Sequence, residues 1–191
     1  MADSDRSNEH LALYAGSFDP ITLGHLDVLR RARRLFDRII LGIGENPEKP
    51  ALFTPKERVE MARSLIDELV ASDPHGAPVQ VEHYSGLTVD FAQHVHASAI
   101  LRGIRNITDL ATECQLAITN RQVADIETVF IVTGETFAFT SSSLIKQVAA
   151  LGGSLDRLST LVPPLVIKKL KEKRDDPSNP LGRLARDQLV E

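Results

Sequence analysis

Apolar runs and segments with helical spacing alternate along almost the whole chain. Short runs rich in Leu, Ile and Val predict five strands: Leu11–Ala15, Arg38–Ile43, Val79–Glu82, Ala99–Leu101 and Thr128–Val132. Between and after them, apolar spacing predicts helices near 24–36, 54–70, 88–96, 106–122 and 141–150. Because the strands are continuously apolar, both faces of the sheet should be buried under helices, as in a parallel sheet. Right-handed crossovers then give a Rossmann-like α/β fold with five parallel strands.

The pattern predicts a single domain over residues 11–173. Residues 1–10 are polar and are expected to form a disordered lead-in. After Pro163 and Pro164 a short amphipathic helix is predicted to end near Lys173, and residues 174–191 form a polar tail. The clearest helix start is Thr54-Pro55-Lys56-Glu57, where Thr at the N-cap, Pro at N1 and Glu at N3 predict a capping box.

Composition narrows the class of protein. The 191 residues carry a formal charge of -4, with 42% hydrophobic and 25% charged residues, which is ordinary for a globular protein. This balance does not favour a nucleic-acid partner, and the arginine run at 30–34 is interpreted as a solvated helix face. No apolar run approaches the ~20 residues that span a bilayer. The single Cys114 fits a reducing compartment, so a cytoplasmic protein is expected.

The segment from Leu11 to His25 is the first candidate for chemistry. A buried strand breaks at Gly16, and the loop then carries Ser17 and Phe18 before Gly24 and His25 open a helix. Unpaired N–H groups and the positive end of the helix dipole favour a phosphate at such a position. A lone histidine is more often structural, but this junction favours a functional role for His25.

Two arginines make the second candidate. Arg102 and Arg105 are predicted to follow the fourth strand, where ligands of open α/β sheets bind. A guanidinium pairs bidentately with phosphate oxygens, although surface salt bridges are the slightly favoured explanation when such a pair is taken alone. Glu113, in the next helix, could orient one arginine or accept hydrogen bonds from a ligand.

Hydroxyl groups and a loop lysine complete the candidates. Thr140, Ser141, Ser142 and Ser143 precede a helix, where they either cap it or donate hydrogen bonds to phosphates. Lys49 follows the second strand and is expected at the same sheet edge as Ser17. The sequence has no G-x-x-x-x-G-K-[ST] loop, and no G-x-G-x-x-G follows the first strand, so a P-loop ATPase and a dinucleotide-dependent dehydrogenase are disfavoured.

The spacing from Thr22 to His25 resembles the T/H-x-G-H signature of nucleotidyltransferases. Together with the Arg-Gly-Ile-Arg and Ser-Ser-Ser segments, residues 10–170 resemble phosphopantetheine adenylyltransferases. The resemblance implies reversible transfer of the adenylyl group of ATP to 4′-phosphopantetheine, giving dephospho-coenzyme A and pyrophosphate in coenzyme A synthesis. It further implies Mg²⁺ dependence, a homohexamer and coenzyme A as a feedback ligand.

By this resemblance, His25 stabilises the transition state, with Lys49 and Arg105 as further catalytic residues. The implied acceptor-side residues are Ser17, Lys49, Thr88 and Arg102. The implied ATP-side residues are Ser17, Phe18, His25, Gly103, Ile104, Arg105, Glu113, Phe137, Ala138, Phe139, Thr140, Ser141, Ser142 and Ser143.

Two alternatives stay open at this point. A related adenylyl- or cytidylyltransferase would act on nicotinamide mononucleotide, FMN or a polyol phosphate with the same motif. A non-catalytic nucleotide sensor would use the same pocket without turnover. No protein nucleophile is required in the transferase mechanism, because the acceptor phosphate supplies the attacking oxygen.

Overall fold

The computed structural model describes residues 9–45, 51–178 and 181. Five parallel strands form one sheet: β1 Leu11–Gly16, β2 Arg38–Gly44, β3 Val79–Tyr84, β4 Ala99–Ile104 and β5 Glu127–Val132. The α-helices are α1 Leu23–Ala32, α2 Pro55–Ser72, α3 Thr88–His94, α4 Ile107–Ala124, α5 Ser142–Ala150 and α6 Pro164–Asp175. Short 3₁₀ segments cover Glu135–Phe137 and Leu155–Thr160. The predicted α/β fold with a five-stranded parallel sheet is confirmed.

The strand order, β3-β2-β1-β4-β5, places β1 beside β4, the two strands that lead into the candidate residues. The chain winds from β1 outward to β3 and then crosses back to β4, on the other side of β1. At such a reversal, neighbouring connections leave the sheet in opposite directions, and a crevice opens beyond the carboxyl ends of the two strands. Here those ends are Gly16 of β1 and Ile104 of β4.

Both faces of the sheet are buried, as the continuous apolar strands predict. Ala12 and Tyr14 of β1 belong to the larger apolar cluster, which includes α1 and α2. Leu11 and Leu13 point to the opposite cluster, which includes α3. Since each fully buried Leu or Ile contributes roughly 1.5–3 kcal/mol, this double burial fixes the register of β1 firmly. The site loops therefore leave a rigid strand.

The capping box at the start of α2 is confirmed. The Thr54 backbone N–H donates to Glu57 Oε2 at 2.8 Å, and the Glu57 N–H donates to Thr54 Oγ1 at 3.3 Å. Two N–H groups at this helix start are thereby satisfied, so α2 needs no other residue to begin here.

Most element boundaries agree with the prediction to within two residues, and two differ by more. The first helix ends at Ala32 rather than at 36, and Arg33 is 2% exposed instead of solvated. Its Nε and Nη1 donate at 2.8 Å to the carbonyls of Ala77 and Asp73, which lie in the connection before β3. The fourth strand runs three residues beyond Leu101, because its pairing with β5 continues to Ile104. Tertiary pairing thus overrides the poor strand propensity of glycine.

Within the described residues, no helix combines the length and apolar composition needed to cross a bilayer. The C-terminal helix, predicted to end near Lys173, ends at Asp175. The division into a lead-in, a domain over 11–173 and a tail over 174–191 stays a prediction. Residues 1–8 and most of the tail lie outside the described residues.

Candidate active site

A cavity of about 290 Å³ lies beyond the carboxyl ends of β1 and β4. It brings together side chains from the β1–α1 loop, the start of α1, β4, α4 and the start of α5. From the sequence-predicted set, the lining contains Ser17, Phe18, His25, Arg102, Gly103, Arg105, Glu113, Thr140, Ser141, Ser142 and Ser143. The imidazole, both guanidinium groups and the hydroxyl cluster therefore share one hollow, although they lie far apart in the sequence.

The half-buried His25 is held by the first turn of α1. Its Nδ1 accepts the backbone N–H of Thr22 at 3.0 Å, and Thr22 Oγ1 accepts the His25 N–H at 3.2 Å. Because Nδ1 accepts, the proton of the neutral ring lies on Nε2. Burial, followed by the charges of Arg105 and Arg102, lowers the pKa of His25 to about 4. At neutral pH the ring is an uncharged hydrogen-bond donor through Nε2.

Arg102 is anchored by a carboxylate from α4. Its Nε and Nη2 donate to the two oxygens of Glu113 at 2.7 and 2.6 Å, and Nη1 donates to the Ala15 carbonyl at 2.6 Å. This bidentate pair fixes the plane of the guanidinium. Glu113 thus orients an arginine, which is one of the two roles considered from the sequence.

Arg105 is held in the same way, by a carboxylate that lies one helical turn before Glu113 on α4. Its Nε and Nη2 donate to Asp109 at 2.7 and 2.9 Å, and Nη1 donates to the Thr140 carbonyl at 2.7 Å. Partial burial opposes ionisation of Asp109, but hydrogen bonds and charge from Arg105 hold its pKa below the usual value. Each arginine therefore has its own carboxylate, and the cavity contains oriented donors rather than a large excess of positive charge.

The hydroxyl groups of residues 140–143 have different contacts. Ser141 Oγ caps α5 by accepting the Leu144 N–H at 3.1 Å, and Ser142 Oγ donates to the Pro20 carbonyl at 2.8 Å. The hydroxyls of Thr140 and Thr133 are buried and have no hydrogen-bond partner among the described residues. Both residues line the cavity, but their hydroxyl oxygens are buried within its wall rather than open to a ligand.

A second cavity, of about 690 Å³, adjoins the first. The two share Ser17, Ser142 and Ser143, so these hydroxyls lie at their boundary. The second cavity is further lined by charged groups, including Arg58 and Lys146. Two ligands bound side by side would meet at the shared serines.

Several predicted residues do not line either of these two cavities. Ile104 is 6% exposed and packs in the sheet, and the Thr88 hydroxyl is 2.8 Å from the Tyr84 hydroxyl. Phe137 packs against α1, where a Cβ on Gly24 would lie 3.2 Å from the Phe137 Cβ. The two residues after it, Ala138 and Phe139, also lie outside the lining, and Phe139 is 88% exposed. Lys49 lies outside the described residues.

Other polar residues of the site were missed from the sequence. Thr22 belongs to the signature noted in the sequence, but its N-cap role was not predicted, although a threonine directly before a helical pattern is a typical N-cap. Asp109 has a visible signal, because it lies four residues before Glu113 on the same helix face. For Thr133 and Arg58, nothing in the local pattern indicates a place at the cavities.

Comparison with known proteins identifies the family. Residues 13–148 match the model of the cytidylyltransferase-like family. A phosphopantetheine adenylyltransferase of Rhodopirellula baltica is 44% identical over 177 residues, covering 92% of this chain and 95% of that protein. One from Desulfosudis oleivorans is 44% identical over 164 residues, covering 85% of this chain and 92% of that protein.

Solved structures support the fold. The nicotinic acid mononucleotide adenylyltransferase of Plasmodium falciparum, complexed with NaAD, superposes with a TM-score of 0.59 at 15% identity, covering 87% of this chain and 96% of that one. A bifunctional NMN adenylyltransferase/ADP ribose pyrophosphatase of Francisella tularensis gives 0.62 at 15% identity, covering 95% of this chain and 53% of that one. At such identities the likeness concerns architecture alone. The sequence relatives decide the family, and the chain belongs to the phosphopantetheine adenylyltransferases.

Proposed function

We propose that this chain transfers the adenylyl group of ATP to 4′-phosphopantetheine, giving dephospho-coenzyme A and pyrophosphate. The observation that carries the proposal is the pair of cavities meeting at Ser17, Ser142 and Ser143, in a chain whose relatives have this activity in their name. ATP would occupy the cavity that contains His25, and the acceptor would occupy the larger one. Their phosphates would then meet at the shared hydroxyls.

The reaction needs positioning more than chemistry from the protein. An oxygen of the acceptor phosphate attacks the α-phosphorus of ATP, forming a new P–O bond as the bond to the β-phosphate oxygen breaks. Charge grows on the equatorial oxygens and on the leaving pyrophosphate. Fixed donors in a partly dry site stabilise such charge without reorganising at the moment of reaction.

His25 is proposed as the donor to the α-phosphate. The Thr22 N–H occupies Nδ1, so only Nε2 can offer a proton to a ligand. As a neutral donor, the ring forms a hydrogen bond to the phosphate without transferring its proton. We therefore assign it to transition-state stabilisation rather than to general acid or base catalysis.

The remaining ATP-side assignments follow the cavity lining. Gly103 and Arg105 would contact the nucleotide from β4, and the start of α5 offers backbone N–H groups for the outer phosphates. Glu113 would act by holding Arg102. Ile104 and the segment 137–139 stay predictions from the resemblance, since they lie outside the lining.

On the acceptor side, Ser17, which lines both cavities, is proposed to bind the phosphate of 4′-phosphopantetheine, and Arg102 is proposed to reach that phosphate from the cavity assigned to ATP. The Nε and Nη2 of Arg102 face Glu113, so a phosphate would approach the Nη1 and Nη2 end of the guanidinium. Lys49 and Thr88 stay predictions from the resemblance. The Thr88 hydroxyl already bonds to the Tyr84 hydroxyl, and a backbone contact is proposed for that residue.

Mg²⁺ is proposed to arrive with ATP rather than to reside in the protein. Among the described residues, no group of three His, Cys, Asp or Glu side chains could hold a metal ion. The carboxylates of Asp109 and Glu113 are committed to arginines. Phosphate oxygens and water are the ligands that Mg²⁺ usually keeps in such complexes.

A homo-oligomer, six-membered by the resemblance, is proposed to cover α4. This helix has 18 residues and none is buried in the single chain. Ile107, Ile118 and Val123 are 84%, 51% and 66% exposed, which is unusual for one helix of a protein that folds alone. A cytoplasmic location and coenzyme A as a product-like regulator are proposed on the same resemblance.

One assay tests the function. The protein is incubated with ATP, Mg²⁺ and one acceptor at a time, and pyrophosphate release and product mass are followed. Turnover with 4′-phosphopantetheine alone is expected. Turnover with nicotinamide mononucleotide, FMN or a polyol phosphate instead would favour the related transferases, and binding without turnover would indicate a sensor.

A further inference from the structure

We propose that Asp19 is a positioning residue for the acceptor, because its buried carboxylate ties together the two walls of the second cavity. The residue is 3% exposed and directly follows Ser17 and Phe18 of the β1–α1 loop. The inference rests on the proposed function only in assuming that 4′-phosphopantetheine binds in this cavity. The hydrogen bonds of Asp19 are observed independently of that assumption.

The carboxylate of Asp19 accepts three hydrogen bonds from two distant segments. Oδ2 accepts the Leu52 N–H at 2.8 Å and the Lys146 ammonium at 3.1 Å. Oδ1 accepts the Phe53 N–H at 2.9 Å. These donors lie 33, 34 and 127 residues from Asp19 in sequence, so the carboxylate links parts of the chain that no local structure connects.

Residues of both segments line the second cavity and form two of its walls. Ala51 and Pro55, on either side of the Leu52–Phe53 pair, line one wall. Ser142, Ser143 and Lys146, at the start of α5, line the other. Asp19 is hydrogen-bonded to both segments and lines the cavity itself, so its contacts tie the two walls together.

Burial makes this arrangement sensitive to the charge of Asp19. A buried carboxylate is tolerated only when donors compensate for its lost hydration, and hydrogen bonds to a charged acceptor are stronger than neutral ones. An amide in its place presents N–H₂ to at least one of the three donors. Donor would then face donor, and one wall would be released.

The β1–α1 loop, which borders the ATP-side cavity, has supports that do not involve the Asp19 carboxylate. Arg58 Nη1 donates to the Ser17 carbonyl at 2.8 Å and to the Gly44 carbonyl at 3.0 Å. Ser142 Oγ donates to the Pro20 carbonyl. The β1–α1 loop therefore remains anchored to α2 and α5 when the carboxylate is lost. This separation predicts a selective effect on the acceptor.

The test is steady-state kinetics of Asp19→Asn in the full chain, varying ATP and 4′-phosphopantetheine separately. We expect the KM for 4′-phosphopantetheine to rise about tenfold or more, the loss of one charge-assisted hydrogen bond. The KM for ATP should stay within about threefold, since its cavity keeps its anchors. An unchanged acceptor KM, or equal rises in both, would overturn the proposal.

Asp27→Asn is the matched control. Asp27 of α1 is a partly buried aspartate whose Oδ2 accepts the Gly134 N–H at 3.0 Å, and neither residue lines the second cavity. Asp27→Asn should show no selective rise in the KM for 4′-phosphopantetheine. A rise equal to that of Asp19→Asn would show that the Asp19 result comes from general destabilisation of the protein. If wild type does not produce dephospho-coenzyme A at all, the proposed function fails rather than this inference.

Lys146→Gln keeps the inference testable should Asp19→Asn not fold. It retains the two backbone donors to Asp19 and weakens the link to α5, so a smaller rise in the KM for 4′-phosphopantetheine is expected, with the KM for ATP unchanged. Where both fold, the double variant should be no worse than Asp19→Asn alone. Fully additive effects would show that Lys146 acts on the acceptor independently, which would overturn the link between the walls.

Discussion

The first turns of α1 and α2 are built alike but do different work. In each, a threonine at the N-cap accepts the N–H of the third helical residue, whose side chain accepts the N–H of the threonine. In α2 the third residue is Glu57, which also pairs with Lys173 at 2.9 Å. In α1 it is His25, which faces the cavity. The capping box of α2 only satisfies its own N–H groups. The capping box of α1 also orients the His25 ring toward the cavity.

The difference lies in the number of usable atoms on the capping side chain. A carboxylate accepts with both oxygens and donates with neither when ionised. An imidazole that accepts through Nδ1 must carry its proton on Nε2, at the other side of the ring. The capping interaction at His25 thus fixes the tautomer, the orientation and the donor at once. It is a positioning device made from ordinary helix chemistry.

Replacing His25 by the capping residue of α2 should have the largest effect. His25→Glu keeps the capping box but removes the Nε2 donor and points negative charge at the proposed α-phosphate. We expect kcat to fall roughly 10³-fold, at the upper end for losing one such donor. Thermal unfolding should change little. As the control, Glu57→Gln should leave kcat intact, and a kcat of His25→Glu within tenfold of wild type would remove the donor role.

His25→Ala should have a smaller effect on catalysis, because it adds no opposing charge. We expect kcat to fall about 100-fold, or on the order of 3 kcal/mol, with little change in either KM. The matched Glu57→Ala should cost about 1 kcal/mol of unfolding free energy and no activity. Kinetics and urea unfolding of both variants decide the matter: an unchanged kcat at position 25, or an equal loss at both, would contradict the contrast.

These two capping boxes also show which local features could be predicted from the sequence and which could not. The box at Thr54 was predictable because Thr, Pro and Glu at that spacing act through local bonds. The box at Thr22 was not, since histidine is no common partner in this motif and its role depends on the cavity beside it. The importance of His25 came instead from its place at a strand–loop–helix junction and from the family signature.

Long-range contacts set the remaining limit. Buried strands were predictable because Leu, Ile and Val report burial directly, whereas the extension of β4 through Arg102 and Gly103 depends on pairing with β5. The shared hollow followed from the expectation that parallel strands end at one edge. The sequence alone could not predict that Asp109 and Glu113, one helical turn apart, each hold one guanidinium group. Salt bridges between such residues leave little pattern in a sequence.

Removing the threonine hydroxyls should give the next smaller effect. Thr22→Val and Thr54→Val each delete one capping acceptor and should each cost about 1 kcal/mol of unfolding free energy. Only Thr22→Val should also lower kcat, by about tenfold, because His25 keeps the Thr22 N–H but loses the hydroxyl beside Nδ1. Parallel denaturation and kinetics separate the two effects. A kcat loss in Thr54→Val of the same size would show that activity merely follows stability.

The smallest effect should be a difference in pH dependence. Burial lowers the pKa of His25 to about 4, so folding favours the neutral ring. Its stabilising contribution is complete above its ordinary pKa of 6.5 and is lost as the pH falls toward 4. For Glu57, burial opposes the shift, but Lys173 and Thr54 lower its pKa below 4.5, and its contribution is lost only in stronger acid. Between these windows, only the α1 start weakens.

Nitrogen NMR of the ring and urea unfolding at pH 7 and 5 test this difference. The His25 ring should carry its proton on Nε2, with Nδ1 unprotonated, and should not titrate above pH 5. Wild type should lose about 1 kcal/mol more than His25→Gln between the two pH values, allowing for partial exposure of the ring. Glu57→Gln should behave like wild type over the same interval. If His25 instead titrates between pH 6 and 7, the ring would be partly cationic at neutral pH, and the contrast between a donor fixed by its capping bond and an ordinary capping side chain would fail.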